Sequence, residues 1–182
     1  MKRFILTFIM TVCLSFIGFC QNTITFKGIP IDGSINDFST SLEKLGYENI
    51  EDDDDVVFYG EFNGQKSFIN PQTVNNKVWR VAIIDAKSTD KNSIIVRFNE
   101  LFNQFMNNPK YKHYDGDTIN YDEDIDYEIL VHDKRYSAAF CLSDTKINGF
   151  VWFAISRQHS NALFKIIMFY ENWDNKADGS DL

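Results

Sequence analysis

The sequence predicts an α+β fold in which two tandem helix-plus-antiparallel-strand units share one curved sheet, with the helices on one face. Three observations predict it. A fully punctuated amphipathic helix occupies the region around Ser34–Leu45, with apolar residues at Ile35, Phe38, Leu42 and Leu45. The same three-four-three spacing returns sixty positions later at Ile95, Phe98, Phe102 and Phe105, and a repeated unit is what such a constant offset signals. After each helix come short β-type runs joined by hairpin signals.

Taken in order, Thr23 to Ile31 is a short extended lead-in that brings Pro30 to the start of the first helix. Ser34 is placed to cap that helix, with Asp37 three residues on to answer it and to favour the positive end of the helix dipole. Gly46 supplies a left-handed stop and Tyr47 the apolar residue that packs back over it. Glu51-Asp-Asp-Asp-Asp55 is a run of like charge and reads as a loop. Val56 to Phe62 reads as a strand, turned by Asn63-Gly64 into Lys66 to Ile69. Asn70-Pro71 interrupts, and a polar turn at Asn75-Asn76 leads into the strand Lys77 to Asp85. In that strand Trp79, Val81 and Ile83 alternate onto one face while Arg80 interrupts the other, so one side is buried and the other wetter.

The second unit begins with a helix over Asp90 to Asn108, ended by Pro109. An acidic, tyrosine-rich loop, Tyr111 to Tyr127, stands where the shorter acidic loop stood in the first unit. Strands are expected at Glu128 to Val131, Tyr136 to Leu142, Phe150 to Arg157 and Ala162 to Tyr170, the last two joined by the turn Gln158-His-Ser-Asn161. The boundaries follow as 21–87 for the first unit, 88–173 for the second and a frayed polar tail over 174–182. Pairing the edges of the two units in one sheet removes two exposed strand edges.

Composition bounds the compartment and the partners. Lys2 and Arg3 precede an uncharged apolar run from Phe4 to Phe19, the pattern of a secretory signal peptide. The run is shorter than the roughly 20 residues a bilayer core requires, so no membrane span is expected after cleavage. Cleavage after Cys20 (signal peptide 1–20) would make the chain secreted or periplasmic. A second reading acylates Cys20 as a lipid anchor, which Phe19, standing where a small residue should precede the cysteine, opposes. Removing residues 1–20 leaves 162 residues with 16 Lys plus Arg against 26 Asp plus Glu, a net charge of −10. That sign repels nucleic acid and anionic headgroups. With Cys13 and Cys20 gone, Cys141 stands alone in an apolar run, no intrachain disulfide can form, and it reads as a small buried hydrophobe.

A tandem repeat of helix plus antiparallel sheet, exported and acidic, resembles the β-lactamase-inhibitor-protein-like fold. The likeness covers nearly all of the mature chain and lies in the order of elements rather than in a motif. It implies that the open, aromatic-rich face of the sheet meets a partner protein. The disulfides carried by the halves of the inhibitor have no counterpart in this chain.

The candidate binding residues are aromatic: Tyr59, Trp79, Phe150, Trp152, Tyr170 and Trp173. In Phe150-Val-Trp-Phe-Ala-Ile155 both alternating sets are apolar, with Phe150, Trp152 and Ala154 on one side and Val151, Phe153 and Ile155 on the other. If helices cover one face only, the other shows aromatics to solvent, and Tyr and Trp dominate interfaces; the alternative is a strand buried on both sides. The leading expectation is therefore an exported, non-enzymatic module that engages a protein or an extended ligand. The second is a metal-dependent or carboxylate-based hydrolase built on the acidic loop 115–126, whose Asp115, Asp117, Asp122 and Asp124 have the chemistry a hard cation needs. Their spacing fails the EF-hand pattern, with Ile119 at the fifth position and glycine second rather than sixth. His113, His132 and His159 lack zinc-ligand spacing. Neither a Gly-x-Ser-x-Gly elbow around Ser143 or Ser156 nor a phosphate-cradling Gly-x-Gly occurs. No catalytic residue and no cofactor is assigned, and the oligomeric state is left open.

Overall fold

The computed structural model describes residues 23–52, 55–142, 148–158 and 161–176. The leader with Cys13 and Cys20, the centre of the first acidic run, Ser143, His159 and the tail beyond 176 lie outside the described residues.

The lead-in folds back on itself as a two-strand hairpin, β1 (Thr25–Phe26) and β2 (Ile29–Pro30). Lys27 and Gly28 both have positive φ, 51° and 83°, as a tight two-residue turn demands. Ile24, Phe26 and Ile31 are buried, so the hairpin closes one end of the core.

Helix α1 (Ile35–Lys44) is punctuated as its sequence dictates. The Asp37 amide donates to Ser34 Oγ at 3.2 Å, and the Ser34 hydroxyl donates to the Asp37 carboxylate at 2.7 Å. At the other end Gly46 has φ +86°. The Gly46 amide donates to the Glu43 carbonyl and the Tyr47 amide to that of Leu42, the paired bonds of a Schellman stop. Phe38 and Leu42 are buried, but Leu45, the last position of the expected stripe, is half exposed because it is the C-cap and has turned away.

Four antiparallel strands follow: β3 (Glu48–Asp52), β4 (Asp55–Phe62), β5 (Gln65–Val74) and β6 (Lys77–Asp85). The acidic run expected to be a loop thus begins inside β3. A strand paired on one side only can carry charge, and charge there discourages pairing with other chains. Nor does Asn70-Pro71 interrupt β5, since Pro71 pairs with Val81. The β4–β5 register ends at Phe58–Ile69; extended, it sets Val56 opposite Pro71. The Asn70 side-chain amide donates to the Val56 carbonyl at 3.3 Å, supplying the donor that proline lacks.

Helix α2 (Lys91–Met106) is capped by Asp90, whose carboxylate accepts from the Asn92 and Ser93 amides; these bonds lower its pKa, that from Ser93 most. Its Ile94, Ile95, Phe98, Leu101, Phe102 and Phe105 are buried. The chain then forms β7 (Tyr111–Asp115), a strand at the start of the expected loop. Helix α3 (Ile125–His132) follows, where Glu128 to Val131 was expected to be a strand. The helix is set locally, with Asp124 as N-cap, Asp126 and Glu128 in the first turn and Asp133 left-handed at φ 50° as the stop. Leu130 and Val131 are exposed and so do not report a buried strand. Strands β8 (Ser137–Leu142), β9 (Gly149–Arg157) and β10 (Phe164–Asn172) complete the unit. The short 3-10 turn Trp173–Asn175 is anchored by Asn175, which donates to Asp32 and to the Val78 carbonyl, so the expected fraying from Asp174 does not begin there.

The main sheet runs β3-β4-β5-β6-β10-β9-β8-β7. Each half contributes a helix and four strands, the second half inserting α3 between β7 and β8, and the last strands of the halves, β6 and β10, pair antiparallel at the centre. The α+β architecture, with two tandem units sharing one sheet, is thus observed. The core lies on the helix side: Phe58, Ile69, Val81, Ile83, Phe140, Val151, Phe153, Ile166, Met168 and Tyr170 meet the buried faces of α1 and α2. No helix among the described residues is long and apolar enough to cross a membrane.

Candidate functional site

Among the described residues no α-helix lies on the opposite face, and its side chains follow from register. Because strand neighbours alternate, Phe150, Trp152 and Ala154 of β9, and Phe169 and Glu171 of β10, point away from the core, while Val151, Phe153, Met168 and Tyr170 point into it. Trp152 lies directly opposite Phe169, and the two rings stack at 4.3 Å and 22°. Phe150 stacks on Trp173 at 4.2 Å and 23° and meets the edge of Tyr114 at 5.2 Å. Offset stacks and edge contacts of this kind each contribute about 0.5–1.5 kcal/mol beyond area burial. On the far side of β6 the face continues through Ala82 and Ile84 to Phe68 and Tyr59, whose rings are 5.4 Å apart.

A β-bulge decides where Trp79 goes. Gln72 pairs with Arg80 and Thr73 with Val78, so Trp79 is the extra residue, and Val78 and Val81 both fall in the core. Trp79 therefore does not share a face with Val81 and Ile83, as strict alternation predicts. It joins Arg80 on the helix-free side, with the guanidinium 4.1 Å from the indole centroid and 5.0 Å from that of Phe169. All three tryptophans of the chain thus stand on this face.

Glu171 organises the centre. It is 4% exposed, lies opposite Arg80 in the register and collects three donors on two oxygens. Trp152 Nε1 (3.0 Å) and Arg80 Nη2 (2.6 Å) donate to Oε1, and Trp173 Nε1 donates to Oε2 (2.8 Å). Burial raises the Glu171 pKa, but the two indole hydrogen bonds and the Arg80 charge outweigh it, and the carboxyl ends below its ordinary value. Arg80 Nε is buried with no hydrogen-bond partner among the described residues. The rim carries Lys66, set over Tyr59, and Lys176, set over both Trp79 and Trp173.

Of the residues singled out from sequence, Tyr59, Trp79, Trp152 and Trp173 lie on the helix-free face. Phe150 does too, but it is covered by Trp173 and only 6% exposed. Tyr170 does not: it packs against Phe26 and Phe62 in the core. Sequence reading missed Arg80, Glu171, Phe169, Phe68 and Tyr114, because a residue's place on this face follows from cross-strand partners.

The acidic loop does not converge. Asp117 accepts from the Thr118 amide, Asp124 caps α3 and pairs with Lys91, and Asp115 and Asp122 are exposed. The loop is held by Asn99 of α2, whose side chain makes both a 2.8 Å and a 2.7 Å bond to the backbone of Ile119. Among the described residues no three His, Cys, Asp or Glu side chains come together as metal ligands would. His113 bonds the Gly116 carbonyl and His132 the Glu128 carboxylate. Cys141 is buried on the helix-free side beside Phe150, its thiol toward the Lys112 carbonyl. Comparison with protein-family models, with curated proteins and with solved structures finds no match.

Proposed function

We propose that the chain is a non-enzymatic binding module and that the helix-free face of its sheet holds a protein partner. The observation that carries this reading is the gathering of Trp79, Trp152, Trp173, Phe169 and Tyr114 on the sheet face that no α-helix of the described residues covers. Size supports a protein over a small ligand. Eight strands spaced about 4.8 Å apart and some 25 Å long make a face of roughly 800 Å², about one partner's share of a standard interface. The resemblance to the β-lactamase-inhibitor-protein-like fold, made on element order, implies the same use of the face. The basic-then-apolar leader supports export, so the partner is sought outside the cytoplasm.

The test is quantitative capture of exported proteins from the source cells with wild type, Trp152→Ala and Ala154→Glu, each checked for folding by circular dichroism. Ala154 is half-buried on the same face, and a carboxylate there disturbs an interface without removing packing. A partner whose capture falls at least about tenfold with both variants supports the proposal. Undiminished capture by folded variants, or cross-links mapping to the helix side, overturns it.

A further inference from the structure

A cavity of about 370 Å³ opens on the other side of the sheet, where the two halves meet. Its volume is within the ~300–1,000 Å³ range of small-molecule sites. The first half supplies Lys27 of the β1–β2 turn and Phe62 at the end of β4; the second supplies Phe105 of α2, Lys110, Tyr111 and, from β10, Met168 and Tyr170. Phe62, Phe105 and Met168 are buried and give it an apolar floor. Its polar lining comprises two cations, Lys27 and Lys110, two phenols, and the neutral side chains of Thr25, Asn63, Gln104 and Asn108, with no carboxylate.

Both lysines lack an acidic partner. In a chain with 26 acids against 18 basic residues, Lys27 and Lys110 form no ion pair among the described residues. Lys27 sits 5.6 Å over the ring of Phe62, and Lys110 Nζ donates to Thr25 Oγ1 at 2.8 Å. The last turn of α2 is closed by the chain itself, the Asn107 and Asn108 amides donating to the carbonyls of Asn103 and Phe105. The two phenols are likewise unused: the hydroxyl of neither Tyr111 nor Tyr170 hydrogen-bonds another described residue. Burial pushes Tyr111 up to about 12 and raises Tyr170 further, the nearby Tyr111 adding to the second shift. Both therefore stay protonated donors at neutral pH. Two cations and two phenol donors over an apolar floor, with no carboxylate paired to the cations, complement a ligand with an anionic head and an apolar body.

We infer that this cavity binds a small amphipathic carboxylate, its apolar body against Phe62, Phe105 and Met168 and its carboxylate between Lys27 and Lys110, accepting from the Tyr111 and Tyr170 phenols. The inference is independent of the helix-free face, since the cavity lies on the helix side.

The probe is octanoate, titrated calorimetrically into the full chain, with octanol as the uncharged counterpart. Methionine-methyl spectra locate the site: Met168 lines the cavity, Met106 is exposed beyond it, and Met168→Leu assigns the signal. Saturable octanoate binding that shifts Met168 and spares Met106 is expected, weakened about tenfold or more by Lys27→Gln with Lys110→Gln and by exchange of octanoate for octanol. Both substitutions are on exposed side chains and leave the fold intact. No saturation at millimolar octanoate, equal affinity for octanol, indifference to the lysine substitutions, or shifts confined to tryptophan signals of the helix-free face would each overturn the inference.

Discussion

Glu171→Gln is the most informative single change on the helix-free face. The carboxylate meets three donors, and its two oxygens are both engaged. Glutamine keeps one oxygen, so whichever way the amide turns, its NH2 faces an indole N–H or the guanidinium. The Arg80 side chain, about a quarter exposed, also loses its counter-charge. Breaking one partner of a largely buried pair costs about 3 kcal/mol, which for a chain of this length lowers Tm by roughly 6–12 °C. Urea unfolding followed by tryptophan emission reads it well, because Trp79, Trp152 and Trp173 all lie at the perturbed site. Arg80→Met removes the stranded charge, so the double variant should be at least about 1 kcal/mol more stable than the sum of the single losses predicts. The pH dependence has a fixed sign. Glu171 has a folded-state pKa below its ordinary 4.5, so its stabilisation is complete above that value and is lost as pH falls through the folded-state value. The gap between wild type and Glu171→Gln is therefore full at pH 7 and narrows below about pH 4.5. Additive single losses, or a gap that does not narrow in acid, would refute the assignment of Glu171 as the ionised centre of the face.

Two further substitutions test the supports of the sheet. Gly60→Ala places a Cβ 2.3 Å from the ring of Tyr47, which covers that glycine and donates its hydroxyl to the Glu61 carbonyl; the overpacking costs about 1–3 kcal/mol in thermal unfolding, whereas Gly33→Ala meets nothing within 4 Å and should be near neutral. Asn99→Leu strands the buried amide and carbonyl of Ile119, at about 2 kcal/mol or more, and hydrogen exchange at Ile119 should accelerate by more than the global loss of stability explains.

What was legible in the sequence was local. Ser34, Asp37, Gly46 and Tyr47 specify both ends of α1 through bonds within one turn of chain, and Asn63-Gly64 and Asn75-Asn76 specify hairpins through positive φ. The misread strands are at the two edges, where polar sequence is permitted: β3 enters an acidic run, and β7 is Tyr-Lys-His-Tyr-Asp. Helix α3 was misread because four residues of it, Glu-Ile-Leu-Val, have strand-like composition, while its determinants Asp124 and Asp133 lie outside those four. Faces were harder still. Trp79 changes side because of a bulge created by pairing with β5, and Tyr170 is inward because β10 is apolar on both faces and only its partners β6 and β9 fix the parity.

The same register that gathers the tryptophans also limits what they offer. The indole N–H groups of Trp152 and Trp173 are spent on Glu171, and the Arg80 guanidinium bonds the same carboxylate while lying over two rings. A partner docking on the centre would therefore meet ring faces and aliphatic surface, with its polar groups unanswered by the two indole N–H groups and by Arg80 Nε, which is itself buried. Affinity in such an arrangement comes from desolvated apolar contact at the centre. Orientation has to come from the rim, where Lys66, Lys176, Tyr114 and the side-chain amides of Asn70 and Gln72 stand. Substitutions at Trp152 and at Lys176 should then separate, the first acting on dissociation and the second on the salt-dependent rate of association.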